Sequence, residues 1–469
     1  MIKILSTTDW HIGNNFHGFD RHEEHAHFLS WLLDVIDEKR PDTLLVSGDV
    51  FDNSNPSATS QELFYSFIDR LTERFPELQT VIIAGNHDSA ARLEAPRAML
   101  ERHNVHVRGV VKRDVDGGVI YDDLIVEIHS HDGSDTAYVL AVPYLRDGDF
   151  PRGMAYSEGV NCFISEITER VFDRYCKVAP QTVASDDDTA KNNPNVILMA
   201  HLYATGSEIA ENSSERIVVG GSEQVDMAML DPRISLVLLG HLHRRQKLAG
   251  RDDRIYPGSA LPMSFTEKSY KHGAVYAEIE NGSIVSAPEY IDYILQHPLI
   301  TVPEKPLPLD EVIRCLSELP DSSCSSECSC SSDSSCSSES SCSSDSFCSS
   351  ESSVSAEPTE IKGFQCNNEP YLEVQIYLES PVIGINKKIE DALKGKAVRL
   401  CRTVIVYPSV TSGNGETGTE SIEDLLNRNP IEVIKKSYFN KYGHEMRDEL
   451  VALANVAIEE ARKSVDGNL

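Results

Sequence analysis

The chain has 469 residues, 40% of them hydrophobic, a length that suits two or three domains rather than one small core. Its formal charge of −31 argues against a surface that attracts polyanions, because non-specific nucleic-acid affinity comes mainly from Lys and Arg on phosphates. The N-terminal MIKILSTTDWHIG lacks a basic region followed by an apolar one, and no run of about 18 apolar residues occurs. We therefore expect no signal peptide, no membrane span and a cytoplasmic location.

Five short apolar runs predict strands that are buried on both faces. They are IKIL (2–5), TLLVSG (43–48), TVIIAG (80–85), NVILMA (195–200) and SLVLLG (235–240). Helical spacing separates the first three runs: Phe28, Trp31, Leu32, Val35 and Ile36 share one face of a helix, and Phe64, Phe67, Ile68 and Leu71 share another. The alternation predicts an α/β domain over residues 1–290, with the polar segment 177–193 as an exposed loop.

A second, smaller α/β unit is predicted over residues 291–410. HPLITVPE resembles a strand, 309–318 a helix, 384–394 a second helix and AVRLCRTVIVYP a last strand. Between the helices, 371–379 alternates Leu372, Val374, Ile376 and Leu378 with mostly polar residues, which is typical of a strand with one buried face. We interpret this unit as a cap on the first domain.

A six-residue repeat interrupts the cap. From 324 to 353 the chain reads CSSECS, CSSDSS, CSSESS, CSSDSF and CSSESS, with an acid in every unit and no Lys or Arg. Such a tract buries too little apolar surface to offset its chain entropy, so we expect a disordered spacer over 321–360. Metal or thiol chemistry is the alternative, because six of the eleven cysteines lie here. The other five cysteines have no zinc or CxxC spacing, which favours reduced thiols.

The C-terminal part predicts a tethered pair of helices. A Gly-rich linker at 411–420 precedes a helical segment at 421–465, made of amphipathic stretches at about 421–440 and 444–463. Their apolar faces suit a contact with a partner protein or packing on the cap.

Each of the five strands is followed at once by side chains that bind metals. The residues are Asp9, His11, Asp49, Asp52, Asn86, His87, His201, His241 and His243. Because ligands bind outside the carboxyl ends of strands in α/β sheets, we expect these side chains to converge on one rim. Oxygen and imidazole donors without cysteine favour Mn²⁺, iron or catalytic Zn²⁺ over structural zinc. Two divalent metal ions sharing a carboxylate would serve phosphoester hydrolysis.

The motifs DWH (9–11), GDVFD (48–52), GNHD (85–88), a lone His201 and GHLH (240–243) resemble, in that order, the calcineurin-like metallophosphoesterase superfamily. STTDWHIG, VSGDVFDNSNPS, SERIVVGG and YPGSALPMSF narrow the resemblance to the SbcD family of nuclease subunits, over nearly the whole chain except 321–360. The resemblance implies a β-sandwich core flanked by helices, a small α/β capping domain and a C-terminal helical pair.

It also implies roles for the site residues. One metal ion would be held by Asp9, His11, Asp49 and His243, and the other by Asp49, Asn86, His201 and His241, with Asp49 bridging. The implied metal is Mn²⁺. His87 would be the catalytic histidine, and Asp52 would orient it through its carboxylate, although Asp52 could equally cap a turn.

Other polar groups near these motifs are given structural interpretations or have two alternatives. Asp88 is expected to support the site or a turn. Most of the histidines in HGFDRHEEHAHF (17–28) are expected to face solvent, and the basic run Arg244, Arg245 and Lys247 suits either a substrate phosphate or a solvated loop.

The resemblance implies a DNA nuclease that works with an SbcC-type coiled-coil ATPase as a homodimer within a heterotetramer. It implies Mn²⁺-dependent endonuclease action on single strands and hairpins, and ATP-dependent exonuclease action on duplex ends. The chain has no GxxxxGK[ST] motif, so the partner would handle ATP. A stand-alone phosphodiesterase or nucleotidase and a non-catalytic scaffold are the alternatives, and the intact ligand set disfavours the scaffold.

Overall fold

The structure is a computed structural model that describes residues 1–151, 153–178, 194–208, 224–322, 369–380 and 382–408, with six single residues beyond. Within these ranges the strands are β1 Ile2–Thr7, β2 Asn15–Phe16, β3 Phe19–Asp20, β4 Thr43–Val46, β5 Gln79–Ile83, β6 Val105–Arg108, β7 Ile125–His129, β8 Thr136–Val142, β9 Asn195–His201, β10 Tyr203–Ala204, β11 Gln224–Val225, β12 Leu236–Gly240, β13 Gln246–Lys247, β14 Arg254–Tyr256, β15 Gly273–Glu280, β16 Ser283–Ile284, β17 Glu289–Asp292, β18 Leu299–Pro308, β19 Tyr371–Tyr377 and β20 Arg399–Val406. The α-helices are α1 His22–Lys39, α2 Ala58–Arg74, α3 Ala90–Glu94, α4 Arg97–Leu100, α5 Tyr156–Val178, α6 Leu309–Ser317 and α7 Ile385–Ala392.

Two mixed sheets form the body of the molecule. The first has the order β16-β15-β1-β4-β5-β6, with β17 paired to β15, and the second has the order β13-β14-β12-β9-β8-β7. In each sheet the central strands are parallel: β1, β4, β5 and β6 in the first, and β14, β12, β9 and β8 in the second. Parallel central strands place their carboxyl ends on one rim, as the ligand pattern predicts.

The two sheets pack face to face through a wholly apolar layer. Ile4, Leu45 and Val81 from the first sheet meet Val139 and Ile197 from the second. The outer face of the first sheet is covered by α1 and α2, and the outer face of the second by α5. The predicted β-sandwich flanked by helices is therefore confirmed, and the apolar runs are buried on both faces because each sheet lies between helices and its partner.

Local chemistry sets the two predicted helices of the first domain. At α2 the Ser57 hydroxyl accepts a hydrogen bond from the backbone N–H of Ser60 at 3.0 Å, an N-cap that satisfies one free donor. At α1 the chain leaves the helix through Arg40 in the left-handed conformation, and its N–H bonds to the Ile36 carbonyl. The apolar faces read from the sequence point at the first sheet.

The cap is a three-stranded parallel sheet in the order β18-β19-β20, with α6 and α7 on one face. The alternating side chains of β19 are buried beneath these helices, as expected. The opposite face of β19 was expected to be polar and exposed, but Tyr371 and Glu373 are buried there. The reason is tertiary: this face packs on the first domain, where the Tyr371 ring lies 5.0 Å from the ring of Phe16.

A buried ion pair of the first domain is hydrogen-bonded to the cap. Arg21 and Glu24 are 0% and 2% exposed, and the Arg21 guanidinium donates to both Glu24 carboxylate oxygens at 2.9 and 3.0 Å. Glu24 also accepts a hydrogen bond from the Tyr371 hydroxyl at 2.7 Å. Arg21 donates as well to the Pro262 carbonyl. We call these residues the cap joint.

The chain divides into two compact units, 1–407 and 408–469. The domain limits at 290 and 410 and the linker at 411–420 remain predictions. The repeat, most of the 177–193 loop, the SERIVVGG motif and the helical pair lie outside the described residues, although Lys435, Tyr438, Leu450 and Val451 are helical. In the part of the chain that is described, each helix is too short or too polar to cross a membrane.

Candidate metal centre and active site

All nine predicted site residues meet at the rim formed by the carboxyl ends of both sheets. Asp9 and His11 follow β1, Asp49 and Asp52 follow β4, Asn86 and His87 follow β5, His201 ends β9, and His241 and His243 follow β12. Donor atoms of Asp9, His11 and His243 lie within 4.8 Å of one another, and so do those of Asp9, Asp49 and His201. The convergence that the sequence pattern predicts is present in the fold.

Asp49 lies between two groups of imidazoles. Its Oδ2 is 3.3 Å from His201 Nε2 and 3.8 Å from His11 Nε2. On the His201 side, the Asn86 Oδ1 lies 2.9 Å from His201 Nε2 and 3.0 Å from His241 Nδ1. This position between both groups is the one that a bridging carboxylate requires.

Backbone strain and a glycine accompany the close approach of the predicted ligands. Asp9, His11, Asp49 and His241 have φ values of 50°, 47°, 47° and 97°, a region that non-glycine residues adopt rarely and mostly at functional sites. Gly85, which precedes Asn86, has no room for a side chain, because a Cβ there would lie 2.1 Å from Asp49 Oδ1. Such close approach explains the glycine in the GNHD motif.

The lone pairs of the site converge on places that suit cations. His201 Nδ1 donates to the Ser47 carbonyl at 2.9 Å, so Nε2 is the ring nitrogen that faces the oxygens of Asn86 and Asp49. His243 Nδ1 lies 3.3 Å from Glu267 Oε1, and its Nε2 faces His11 Nε2 at 3.2 Å. Acceptors that face one another repel unless a proton or a metal ion lies between them. The residues therefore fit divalent metal ions.

The charge balance gives the same result. Asp9 and Asp49 are 1% and 2% exposed. Among the described residues the ion-pairing partners of Asp49 are His11 and His201, and the charged groups that act on Asp9 are histidines and Asp49. Burial opposes a charged His201, but the Asp49 carboxylate outweighs burial and raises the pKa of His201 to about 9. Burial likewise opposes ionisation of Asp49, yet His201 holds the pKa of Asp49 well below its usual range. Buried carboxylates in this state call for positive charge.

The contact between His87 and Asp52 differs from the expected one. His87 Nδ1 donates to the backbone carbonyl of Asp52 at 2.8 Å, not to its carboxylate. The carboxylate lies instead 3.5 Å from His11 Nδ1 and accepts from the Asn14 amide at 3.1 Å. Asp52 thus fixes the tautomer of His87 through its main chain, and its side chain faces the predicted ligand His11.

Two buried acidic residues contact the predicted ligands or the turns that carry them. Glu267 is fully buried, lies next to His243 Nδ1 and accepts the Met263 N–H at 2.9 Å; sequence reasoning missed it, because no motif marks it. A carboxylate behind a ligating imidazole orients the ring and increases its basicity. Asp88 accepts N–H bonds from Gly85, Val50 and Phe51, which locks the GDVFD and GNHD turns together, as its expected supporting position implies.

The surrounding basic and imidazole groups are mostly committed to other partners. Arg244 pairs with Glu208 at 2.7 Å, Arg245 with Asp292, and Lys247 with Asp252. This pairing favours a solvated loop over a phosphate contact for the basic run. Among the early histidines, His25 is buried, with its ring nitrogens 2.9 and 3.0 Å from the Arg21 and Trp10 carbonyls, whereas His17 and His27 are exposed.

Comparisons with known proteins agree with the geometry. The sequence model of the calcineurin-like phosphoesterase family matches residues 2–245. A Rhodobacter capsulatus protein named as the SbcD subunit of the SbcCD nuclease is 36% identical over 320 residues, covering 68% of this chain and 76% of that protein. Proteins of the same name from Escherichia coli K12 and Bacillus subtilis are 27% and 29% identical, over 61% and 60% of this chain and 67% of each relative.

Proposed function

Since the chain belongs to the calcineurin-like phosphoesterase family, and within it to the SbcD subunits of SbcCD nucleases, we propose that it cleaves DNA as the nuclease subunit of an SbcCD-type complex. The chain is a metal-dependent phosphodiesterase. The observation that carries the proposal is the rim itself, where two groups of imidazole and oxygen donors flank the Asp49 carboxylate.

The proposed cofactor is a pair of Mn²⁺ ions. Asp9, His11, Asp49 and His243 would hold one, and Asp49, Asn86, His201 and His241 the other. Bound there, the ions would supply a hydroxide from water at neutral pH and stabilise negative charge on the phosphate oxygens. The mixed oxygen and imidazole set supports Mn²⁺ more than a thiophilic metal.

His87 is proposed to act on the substrate directly. Its Nδ1 is occupied by the Asp52 carbonyl, and its backbone N–H donates to Asp49 Oδ1 at 2.8 Å, so the ring is fixed from two directions. This leaves Nε2 of a half-buried imidazole, whose ring centre lies 4.8 Å from that of His11, to give a proton to the leaving oxygen or to stabilise charge on the phosphate. The Asp52 side chain would steady His11 in this scheme.

The remaining proposals concern the assembly. A homodimer of this protein would join an SbcC-type coiled-coil ATPase in a heterotetramer, with residues 421–465 as the docking segment. The complex would cut single strands and hairpins as an endonuclease and duplex ends as an ATP-dependent exonuclease, in DNA repair, recombination and replication. The free cysteines of the described chain, Cys162, Cys315 and Cys401, suit a cytoplasmic location.

The test compares a DNA hairpin with a small chromogenic phosphodiester, each with and without Mn²⁺. We expect hairpin cleavage that requires Mn²⁺ and that falls by about 100-fold or more in His87→Ala, with metal content unchanged. His129→Ala is the matched control, because His129 is exposed and pairs with Thr136 at the start of β8, the far end of the sheet from the rim. Hydrolysis of the small diester alone would indicate a stand-alone phosphodiesterase and contradict the nuclease.

A further inference from the structure

One more strand ends at the rim without supplying a metal ligand. β8 runs parallel to β9, with its last residue Val142 paired to Ala200, the neighbour of His201. The next residues are Pro143, Tyr144, Leu145 and Arg146. The carboxyl end of a strand beside a ligand-bearing strand is where a substrate is contacted in α/β sheets.

The loop after β8 is held in place by the first sheet and by α5. The Tyr144 N–H donates to the Ala84 carbonyl at 2.9 Å, directly before the GNHD motif. Leu145 is buried, and its carbonyl accepts from the Tyr156 hydroxyl at 3.0 Å. Alternate residues of an extended segment share a side, so the buried Leu145 leaves Tyr144 and Arg146 together on the opposite side.

These two side chains stack beside the metal centre. The Tyr144 ring stands edge-on to the ring of His201, with 6.3 Å between ring centres. The Arg146 guanidinium carbon lies 5.7 Å from the centre of the Tyr144 ring. Stacking of this kind holds a guanidinium in place without neutralising its charge.

Arg146 differs in charge balance from the basic residues after GHLH. Arg244, Arg245 and Lys247 each have an acidic partner. The carboxylate of Asp149 accepts a hydrogen bond from the backbone N–H of Arg146 and not from its guanidinium. In the ranges that the structure describes, the exposed Arg146 guanidinium has no carboxylate at ion-pairing distance. It therefore keeps its charge for a ligand.

We propose that Arg146 binds a phosphate of the DNA strand next to the scissile phosphodiester, and that Tyr144 is the residue that positions its guanidinium. This inference rests on the proposed nuclease function and deepens it. A guanidinium can donate two parallel hydrogen bonds to a phosphate. Because the Tyr144 ring lies between His201 and Arg146, the guanidinium is near the metal centre but not in it, which suits the phosphate next to the reacting one. The contact exists only for a substrate with more than one phosphate.

The experiment measures kcat and KM of the full-length protein on a DNA hairpin and on the small chromogenic diester in Mn²⁺. For Arg146→Ala we expect a hairpin KM about tenfold higher with kcat little changed, no effect on the diester, and a salt dependence of log KM that is shallower by about one charge. Arg146→Lys should recover part of the KM, since it keeps the charge but not the fork. The hairpin KM of Tyr144→Ala should be closer to that of Arg146→Ala than the KM of Tyr144→Phe is.

The matched control is Arg170→Ala, because Arg170 on α5 also has its guanidinium over a tyrosine ring, that of Tyr121, at 5.1 Å. An unchanged hairpin KM in Arg146→Ala, or an equal loss on hairpin and diester, would overturn the inference while leaving the nuclease function intact. A wild-type protein that does not cut the hairpin in Mn²⁺ would overturn both.

Discussion

Replacing Arg21 with methionine tests the cap joint most sharply. The methionine fills much of the same volume but leaves the Glu24 carboxylate, 2% exposed, with the Tyr371 hydroxyl as its remaining hydrogen-bond donor among the described side chains. Breaking a buried pair in this way costs about 3–5 kcal/mol, because the surviving charge stays desolvated and unpaired. The double variant Arg21→Met/Glu24→Leu removes that charge, so we expect it to be less destabilised than the single variant by about 2 kcal/mol or more.

The pH dependence of this variant follows from the pKa of Glu24. Burial alone would raise it, but the Arg21 guanidinium outweighs burial and lowers the pKa of Glu24 below its usual range. In the wild type this contribution to stability is present above the unfolded pKa of about 4.3 and is lost as the pH falls through the folded pKa. Without Arg21 the buried Glu24 carboxyl takes up a proton more readily. The free energy of unfolding of Arg21→Met should therefore fall less below that of the wild type at pH 5 than at pH 7.

The assay is urea unfolding at both pH values, followed by circular dichroism and by the fluorescence of Trp10 and Trp31, with the free energy taken where the two transitions coincide. Both tryptophans lie in the first domain: the Trp10 carbonyl is 3.0 Å from a ring nitrogen of His25, the neighbour of Glu24, and Trp31 lies on α1. A loss below about 1 kcal/mol in the single variant, or single effects that simply add in the double variant, would refute the buried-pair reasoning.

Three further outcomes follow from the site and the composition. Glu267→Gln should weaken Mn²⁺ binding by about 10–100-fold with little change in thermal stability, since the group behind His243 orients the ring; unchanged affinity by calorimetry would argue against this support. Deletion of 324–353 should leave hairpin cleavage and metal content as they are, and a loss of either would contradict the spacer interpretation. Residues 321–357 hold seven acids and no bases, so the rest of the chain still has a net charge of −24. The isolated protein should therefore bind duplex DNA weakly. Tight, salt-resistant binding in a gel-shift titration would be inconsistent with that charge.

The sequence predicted the buried strands, their α/β alternation and the order of the candidate ligands because these features are local, whereas the sandwich was implied by the family resemblance. Each buried strand is a continuous apolar run, and each ligand follows its strand within a few residues, as Asp49 follows β4 and His241 follows β12. Parallel strands then bring distant ligands together, so His11 and His243 meet although 232 residues separate them. Local sequence patterns therefore suffice to predict the site wherever parallel strands bring the residues together.

The supporting contacts could not be read in the same way. Glu267 reaches His243 from a turn with no pattern of its own, and the hydrogen bond between Tyr371 and Glu24 spans 347 residues. The role of Asp52 was expected from its side chain, but the structure uses its carbonyl for His87, and a backbone contact leaves no trace in residue type. Glu373 is polar by sequence and buried by the packing of the cap.

The central claim is that far-separated acids, amide and imidazoles form one two-metal centre around Asp49. The direct measurement is the manganese content of the full-length protein by mass spectrometry, after chelation, reloading with Mn²⁺ and gel filtration. The account predicts two Mn²⁺ per chain in the wild type and in His129→Ala, and fewer than one in Asp49→Asn. A wild-type protein that takes up no manganese, or an Asp49→Asn variant that still holds two ions, would contradict it.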